Sequence, residues 1–183
     1  MSLANLFIPK GYAPSLGIRE TALAIKAVKD VFERQLAASL GLERISAPLF
    51  VPADSSLNDD LNGVERAVTF DVPDVGAQVQ IVHSLAKWKR FALARYAFSP
   101  GEGLYTDMNA IRRDEVLDNL HSIYVDQWDW ELVIEERDRT LDFLKKIVIQ
   151  IAYAIKQAEV ELCSAFEGIE PMFSDEVFFI TSE

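Results

Sequence analysis

The segment His121–Glu131 contains a dense group of side chains that could bind a small polar ligand. If the segment is a β-strand, alternate residues share a face, so Gln127, Asp129 and Glu131 lie on one side with Val125. An amide beside carboxylates suits a ligand that carries an ammonium group. The same pattern is typical of an ordinary sheet with one hydrated polar face, and the residues alone leave both interpretations open.

The opposite face of this predicted strand is aromatic. It carries Tyr124, Trp128 and Trp130, with Asp126 between them. Large aromatic side chains gain most from burial. We therefore expect the two tryptophans to pack against helices, which leaves the Gln127 and Asp129 face to the ligand.

A second candidate is the basic and then acidic run Arg112-Arg113-Asp114-Glu115, which follows a predicted strand. A guanidinium group is a natural partner of phosphate, because its fork donates two parallel hydrogen bonds and its charge persists on burial. Such a run is also common in exposed charged turns. The run therefore indicates a phosphate site only together with other features.

The third candidate is the run His83–Arg90, which contains Ser84, Lys87 and Lys89. A helix would place Lys89 about one turn beyond Leu85. Basic clusters of this length usually form a hydrated face. His83, like His121 further along the chain, is a candidate general base, although a single histidine is more often a hydrogen-bonded structural residue.

Helical periodicity and turn residues predict the elements that position these groups. Apolar residues recur on one helical face from Ile18 to Leu40, and Gly41 is typical of a helix C-cap. The other predicted elements are an extended stretch over Leu42–Phe50 with Pro48 at an edge or interface, a loop over Asp54–Gly63, a hairpin of Arg66–Val72 and Gln78–His83, a helix over Ser84–Tyr96, strands over Leu104–Arg112 and His121–Glu131, a helix over Arg137–Glu167 and a strand over Glu176–Thr181. Hairpins beside long helices predict an α+β fold with an antiparallel sheet.

Composition limits the function classes. The chain has 183 residues, which is the length of one domain, and 29 acidic against 18 basic residues give a formal charge of −11. This charge disfavours general binding to nucleic acid or to an anionic membrane. A single cysteine, Cys163, excludes an internal disulfide and is compatible with a cytoplasmic protein. We predict no metal site made by the protein alone, and neither a phosphate-binding P-loop nor a dinucleotide-binding glycine fingerprint occurs.

Taken in order, these pieces resemble the AMP-forming asparagine synthetases, or aspartate-ammonia ligases, which are relatives of the class II aminoacyl-tRNA synthetase core. The resemblance begins at about residue 18 and extends over nearly the whole chain. It depends on Asp59 with Leu61, Gly63, Glu65 and Ala67-Val68, on Val82–Arg90, on Gly101–Thr106, and on His121-Ser122 with Tyr124–Glu131.

The resemblance implies a fold, an assembly and a reaction. The first helix with Pro48 resembles class II motif 1, which implies a homodimer, and Arg112–Glu115 with the returning strand resembles motif 2. The implied reaction joins aspartate and ATP to a β-aspartyl adenylate and pyrophosphate. Ammonia then releases asparagine and AMP, and Mg²⁺ accompanies the ATP.

The resemblance also suggests a role for each candidate residue. Lys89 would bind the α-carboxylate of aspartate, Asp59 and Asp129 would bind its ammonium group, and Gln127 and Ser84 would orient it by hydrogen bonds. For ATP, Arg112 would hold the α-phosphate, and either Asp114 or Glu115 would contact adenine or the metal. Arg112 and Lys89 are thus the two predicted catalytic residues, and His83 is a possible additional one.

One part of the family pattern has no counterpart in the sequence. We find no class II motif 3, a glycine-rich segment that ends on an ATP-binding arginine. We therefore expect residues 1–17 to be an N-terminal arm or an expression leader, and residues 18–183 to be a truncated synthetase-like catalytic domain. An inactive fragment of the ligase is the first hypothesis, and a non-catalytic paralogue that binds aspartate, asparagine or AMP is the alternative. A tRNA-handling relative is the least favoured.

Overall fold

The computed structural model describes residues 5–59 and 61–180. Residue contacts divide the chain into two compact units. The sheet unit is formed mainly by Glu43–Ser99 and Gly103–Glu131, and the helical unit mainly by Ala13–Leu42 and the chain from Leu132 onward. The two long helices come before and after the strands, one shorter helix lies among the strands, and the strand pairs are antiparallel, so the predicted α+β class is confirmed.

Helix α1 spans Ile18–Leu40 and ends as predicted at Gly41, whose φ of 65° lies in the left-handed region. Its apolar face is buried mainly in the C-terminal half, where Val31, Leu36 and Leu40 form core contacts. The N-terminal half differs from the expectation, because Ile18 is 94% exposed. Within the helical unit α1 packs against α3, which spans Leu141–Ala165.

The predicted extended stretch over Leu42–Phe50 is interrupted. Strand β1 covers Leu42–Arg44 and β2 covers Phe50–Pro52, and the two belong to different three-stranded sheets. Pro48 lies between them and not in a strand. The first strand ends four positions before Pro48, and a proline, which has no N–H to donate, suits the connection from one sheet to the other.

The second sheet has the order β2-β4-β3 and contains the predicted hairpin. Strands β3 (Thr69–Val72) and β4 (Ala77–Ile81) are antiparallel, and Gly76 occupies the connecting turn with a φ of 66°. Both strands are shorter than predicted. The N–H groups of Arg66 and His83 bind the side chains of Asp114 and Asn58 and do not extend the ladder.

The first sheet has the order β1-β5-β6, in which β5 spans Gly103–Ile111 and β6 spans Tyr124–Leu132. Helix α2 runs from Ala86 to Arg95 before β5. The sheet-unit core includes Val82, Leu85, Leu104 and Ala110, and all of these are almost fully buried. The observed bounds of α2, β5 and β6 agree with the predicted bounds to within a few residues.

Two predictions near the end of the chain are wrong in detail. The long helix begins at Leu141 and not at Arg137, because Thr140 Oγ1 accepts a hydrogen bond from Phe143 N and so caps the first turn. Residues 136–138 form a short 3₁₀ turn. The predicted strand over Glu176–Thr181 is irregular from 176 to 180, where neither sheet pairs with it, and Thr181 lies outside the described residues.

Candidate functional site

The register of β5 and β6 determines which candidate side chains share a face. Arg112 N donates to Ile123 O at 2.8 Å, so these residues lie directly opposite each other in an antiparallel pair. Counting in twos from Ile123 along β6 gives Gln127 and Asp129. Arg112, Gln127 and Asp129 therefore lie on one face of the sheet, as their predicted common role requires.

The same register places a row of buried β5 residues beside these polar residues, on the same face of the sheet. Leu104, Thr106, Met108 and Ala110 occupy the corresponding positions of β5, and each is at least nine-tenths buried. A buried apolar strand beside a polar strand limits access of water to that face. The expectation for the other face is wrong in part, because Trp128 stacks on the strand residue Tyr105 at 5.0 Å and remains partly exposed.

Lys89 extends from α2 to this face and is only 5% exposed. Its Nζ lies 2.6 Å from Asp129 Oδ1, 2.9 Å from Trp130 O and 3.3 Å from Glu131 Oε2. An ammonium group has three N–H donors and each has an acceptor here. The charge of Lys89 is thereby compensated within the protein, as a buried charge requires.

Asp59 and Ser84, two of the residues predicted to bind aspartate, contact each other. Ser84 Oγ donates to Asp59 Oδ2 at 2.8 Å, which orients a carboxylate 25 positions away in the chain. His83 is 2% exposed and its Nδ1 lies 3.2 Å from Asp59 O. His83 Nε2 is buried without a partner among the described residues, so this ring can still form one hydrogen bond.

Asn58 holds this loop in place and was not singled out by the sequence. It is 7% exposed, and its Oδ1 accepts from His83 N at 2.9 Å and from Asp59 N at 3.0 Å. Its Nδ2 donates to Ile81 O at 3.3 Å. Asn58 thus connects the end of β4 to Asp59. No pattern of neighbouring residues predicts that an asparagine will be buried in such a role.

Arg112 lines a cavity of about 450 Å³ together with two loop segments. Its Nε is buried without a hydrogen-bond partner in the described part of the chain, and its Nη1 lies 3.9 Å from Glu115 Oε2. A guanidinium donor that is buried and unsatisfied favours an anionic ligand at this position. The lining residues are Leu61, Asn62, Glu65, Arg112, Asp114, Glu115 and His121.

Asp114 already has a strong partner within the protein. Arg66 donates to Asp114 Oδ2 from its backbone N at 2.9 Å and from its Nε at 3.0 Å. These side-chain and backbone hydrogen bonds from Arg66 hold the pKa of the Asp114 carboxyl well below its usual range. Asp114 and Glu115 are the two acidic candidates for contact with the nucleotide. Arg66 binds Asp114 and not Glu115, so we favour Glu115 for that contact.

His121 also lines the cavity. Its Nδ1 is 2.9 Å from Asp118 Oδ1, and its backbone N–H donates to the same oxygen at 2.8 Å. The hydrogen bond to Asp118 raises the pKa of His121 above 6.5. Asp118 in turn has a lowered pKa, chiefly because the backbone N–H of Leu120 donates to it.

The structure brings the predicted residues together in three groups. Asp59, His83 and Ser84 form one set of contacts, and Lys89 with Asp129 forms another. Arg112, Asp114 and Glu115 line the cavity. Asp129 lies six positions after Ile123, which corresponds to roughly 20 Å along the strand, and Gln127 lies between.

Two further observations concern metals and membranes. Among residues 5–59 and 61–180, no three His, Cys, Asp or Glu side chains are grouped so that they could hold a metal ion. None of the helices in those ranges combines the length and apolarity that crossing a bilayer requires. The structure thus provides no protein-only metal cage in its described part.

A family model described as aspartate-ammonia ligase matches residues 19–183 of the sequence. This match includes every predicted site residue and all three groups. The chain belongs to the aspartate-ammonia ligase family.

Curated relatives with the name aspartate–ammonia ligase support this assignment. The relative from Clostridium tetani is 58% identical over 180 residues, and those from Ruminiclostridium cellulolyticum and Bacteroides thetaiotaomicron are 56% and 50% identical. Each alignment covers 98–99% of this chain but only 53–54% of the relative. The chain therefore spans about half the length of the curated relatives it matches.

A solved structure supports the fold expected of this ligase family. It is described as an ATP phosphoribosyltransferase regulatory subunit/histidyl-tRNA synthetase from Bacillus halodurans. The TM-score is 0.57 over 83% of this chain and 38% of that chain, at 14% sequence identity. At this identity the likeness concerns the fold alone, and it agrees with the class II synthetase-like architecture inferred from the sequence.

Some residues of this ligase-family site were missed or left without a role by sequence analysis. Arg66 and Asn58 were not selected, although they bind Asp114 and position Asp59. Glu131 was placed on the polar face but was not connected to Lys89. Arg66 lies 48 positions from Asp114, Asn58 accepts from His83 25 positions away as well as from its neighbour Asp59, and Glu131 lies on a different element from Lys89. Local spacing therefore does not reveal these contacts.

Proposed function

We propose that the protein contributes the aspartate-binding and phosphate-binding face of an aspartate-ammonia ligase. The observation that supports this most is the shared sheet face, on which Asp129 beside the buried Lys89 and the guanidinium of Arg112 are aligned. Family membership supplies the reaction class. Two substrates that must react with each other need subsites on one continuous surface.

In the aspartate subsite, we assign each polar group of the substrate a partner. Lys89 binds the α-carboxylate by a charge-assisted hydrogen bond, and Asp59 with Asp129 binds the ammonium group. Gln127 and Ser84 orient the substrate. Ser84 supports this assignment because its hydroxyl already directs Asp59. The side-chain carboxylate is then the group left to react.

In the nucleotide subsite, Arg112 binds the α-phosphate, where negative charge grows as the carboxylate attacks. Its buried, unsatisfied Nε supports this role. Glu115 contacts adenine or a magnesium ion that arrives with ATP. Magnesium usually takes one or two carboxylates plus phosphate oxygens, so the Glu115 carboxylate fits such an ion without a protein cage.

The chemistry that these residues serve has two steps. A β-carboxylate oxygen of aspartate attacks the α-phosphorus of ATP, and pyrophosphate leaves with the electrons of the broken P–O bond. Ammonia then attacks the acyl carbon, AMP leaves, and the nitrogen loses a proton to give asparagine. Arg112 stabilises the first step, and the groups around Lys89 hold the rest of the substrate still in both.

We expect a homodimer and a cytoplasmic location. Exposed apolar residues on α1, including Ile18 and Leu23, support an association through that helix. Analytical ultracentrifugation of the unmodified chain tests the dimer, since a monomer at high concentration would contradict it.

Calorimetric titration of the unmodified chain tests the proposed function. We expect binding of aspartate and of ATP, whereas glutamate should bind more weakly because its side chain is longer by one methylene. Binding of aspartate and AMP without binding of ATP would favour the non-catalytic paralogue. If neither aspartate nor ATP binds to folded protein, the proposal is wrong.

A further inference from the structure

Lys89 presents a problem for substrate binding. Its three N–H donors are directed at Asp129 Oδ1, Trp130 O and Glu131 Oε2 at 2.6, 2.9 and 3.3 Å. A substrate carboxylate would be a fourth acceptor, and an ammonium group has only three donors. One of the present acceptors must therefore leave before Lys89 can bind aspartate as proposed above.

Two of the three acceptors are fixed by the strand. Trp130 O belongs to the backbone of β6 and cannot turn away. Asp129 Oδ1 makes the shortest contact with Lys89 and also accepts from Trp130 N at 2.9 Å. Both acceptors therefore stay in place when a ligand enters.

Glu131 differs from them in three respects. Its contact with Lys89 is the longest of the three, and its side chain is 29% exposed. Its other carboxylate oxygen lies 3.8 Å from Arg90 Nε, and the Arg90 side chain is 75% exposed. Arg90 thus provides a second cation close enough to receive the Glu131 carboxylate after a rotamer change.

We propose that Glu131 is a displaceable carboxylate, which occupies Lys89 in the free protein and moves to Arg90 when the α-carboxylate of aspartate binds. This inference rests on the role proposed for Lys89. The exchange replaces one carboxylate by another, so the charge around the buried lysine is unchanged. A ligand without a carboxylate at this position cannot replace Glu131 as the partner of Lys89, which makes Glu131 a determinant of specificity.

The test measures aspartate affinity by calorimetry in the 183-residue chain and in Glu131→Gln. Glutamine keeps an oxygen that can accept from Lys89, but it removes the charge that competes with the substrate. We expect the dissociation constant for aspartate to fall about fivefold, as expected for release from a partly exposed ion pair. Glu131→Asp, whose shorter side chain keeps the charge but reaches Lys89 less well, should give a smaller change in the same direction.

Two controls separate displacement from a general effect of charge. Asp126→Asn removes the same charge from the opposite face of β6 and should leave aspartate affinity unchanged. β-Alanine keeps the amino group and the reacting carboxylate of aspartate but lacks the α-carboxylate, so Glu131→Gln should not improve its binding. Equal gains in either control would overturn the inference.

The remaining outcomes are also decisive. Unchanged or weaker aspartate binding in folded Glu131→Gln, with normal binding in the unmodified chain, would refute the displacement and leave the proposed function intact. If Glu131→Gln does not fold, the sign of the change in Glu131→Asp decides. No aspartate binding by the unmodified chain would contradict the proposed function and the inference together.

Discussion

Arg66 binds Asp114 across 48 positions of the chain, through its backbone N–H and its side-chain Nε. The contact joins the loop after Asp59 to the segment after β5, and both segments line the Arg112 cavity. Glu65 closes the same loop on itself, because its Oε2 accepts from Asn62 N at 3.0 Å. Asp114 thus holds together the two segments that line the cavity.

Arg66→Ala should therefore loosen residues 61–66 and weaken ATP binding, while aspartate binding stays normal. Hydrogen exchange followed by mass spectrometry should show faster exchange in this loop. Arg95→Ala, which removes an exposed arginine from the last turn of α2, is the matched control. Unchanged exchange in Arg66→Ala would show that the contact does not hold the loop.

Lys89→Ala should weaken aspartate binding more than ATP binding. The variant removes the proposed partner of the α-carboxylate and leaves Asp129 and Glu131 without their buried cation. A lost charge-assisted pair costs on the order of 2 to 5 kcal/mol where the partner charge stays buried. Titration of both ligands, with Arg95→Ala as the charge control, measures the difference. An unchanged aspartate affinity contradicts the assignment.

Arg112→Ala should have the opposite selectivity, with weaker ATP binding and normal aspartate binding. Arg112→Lys keeps the charge but not the planar fork, so we expect it to restore only part of the ATP affinity. Calorimetry on the two variants measures the dissociation constants for ATP and for aspartate. Full recovery in Arg112→Lys would mean that charge alone, and not the paired hydrogen bonds, binds the phosphate.

Asn58→Ala should lower both the stability and the aspartate affinity. The buried N–H of His83 loses its acceptor, which costs about 1 to 3 kcal/mol of unfolding free energy, and Asp59 loses the hydrogen bond that positions it. Urea denaturation and calorimetry measure the two effects. A stability equal to that of the unmodified chain would show that water replaces the Asn58 side chain.

His121 should titrate above its ordinary pKa of 6.5. Because the folded pKa is the higher one, the His121–Asp118 pair contributes stability that is complete below the ordinary pKa and is lost as the pH rises through the folded pKa. Asp118→Asn should return the pKa of His121 towards 6.5. Proton NMR of the two histidine rings follows this directly, and an identical titration in Asp118→Asn would exclude Asp118 as the cause.

Much of the secondary structure could be predicted because its determinants are local. The spacing of apolar residues identifies helix α1, and Gly41 identifies its end. Both signals come from residues within a few turns of one another. The hairpin over β3 and β4 follows from two extended runs around one turn. Family membership was accessible for a similar reason, since runs such as Val82–Arg90 are long enough to be specific by themselves.

The amino-acid sequence by itself thus determined the fold class, the family and the set of polar residues from which the site is built. Only the tertiary structure decided how they pair: Lys89 with Asp129 and Glu131, Asp114 with Arg66, and Asp59 with Ser84 and Asn58. The physical reason is that a helix or turn depends on neighbours a few residues away. An ion pair depends on strand register and on side chains that meet only after the chain has folded.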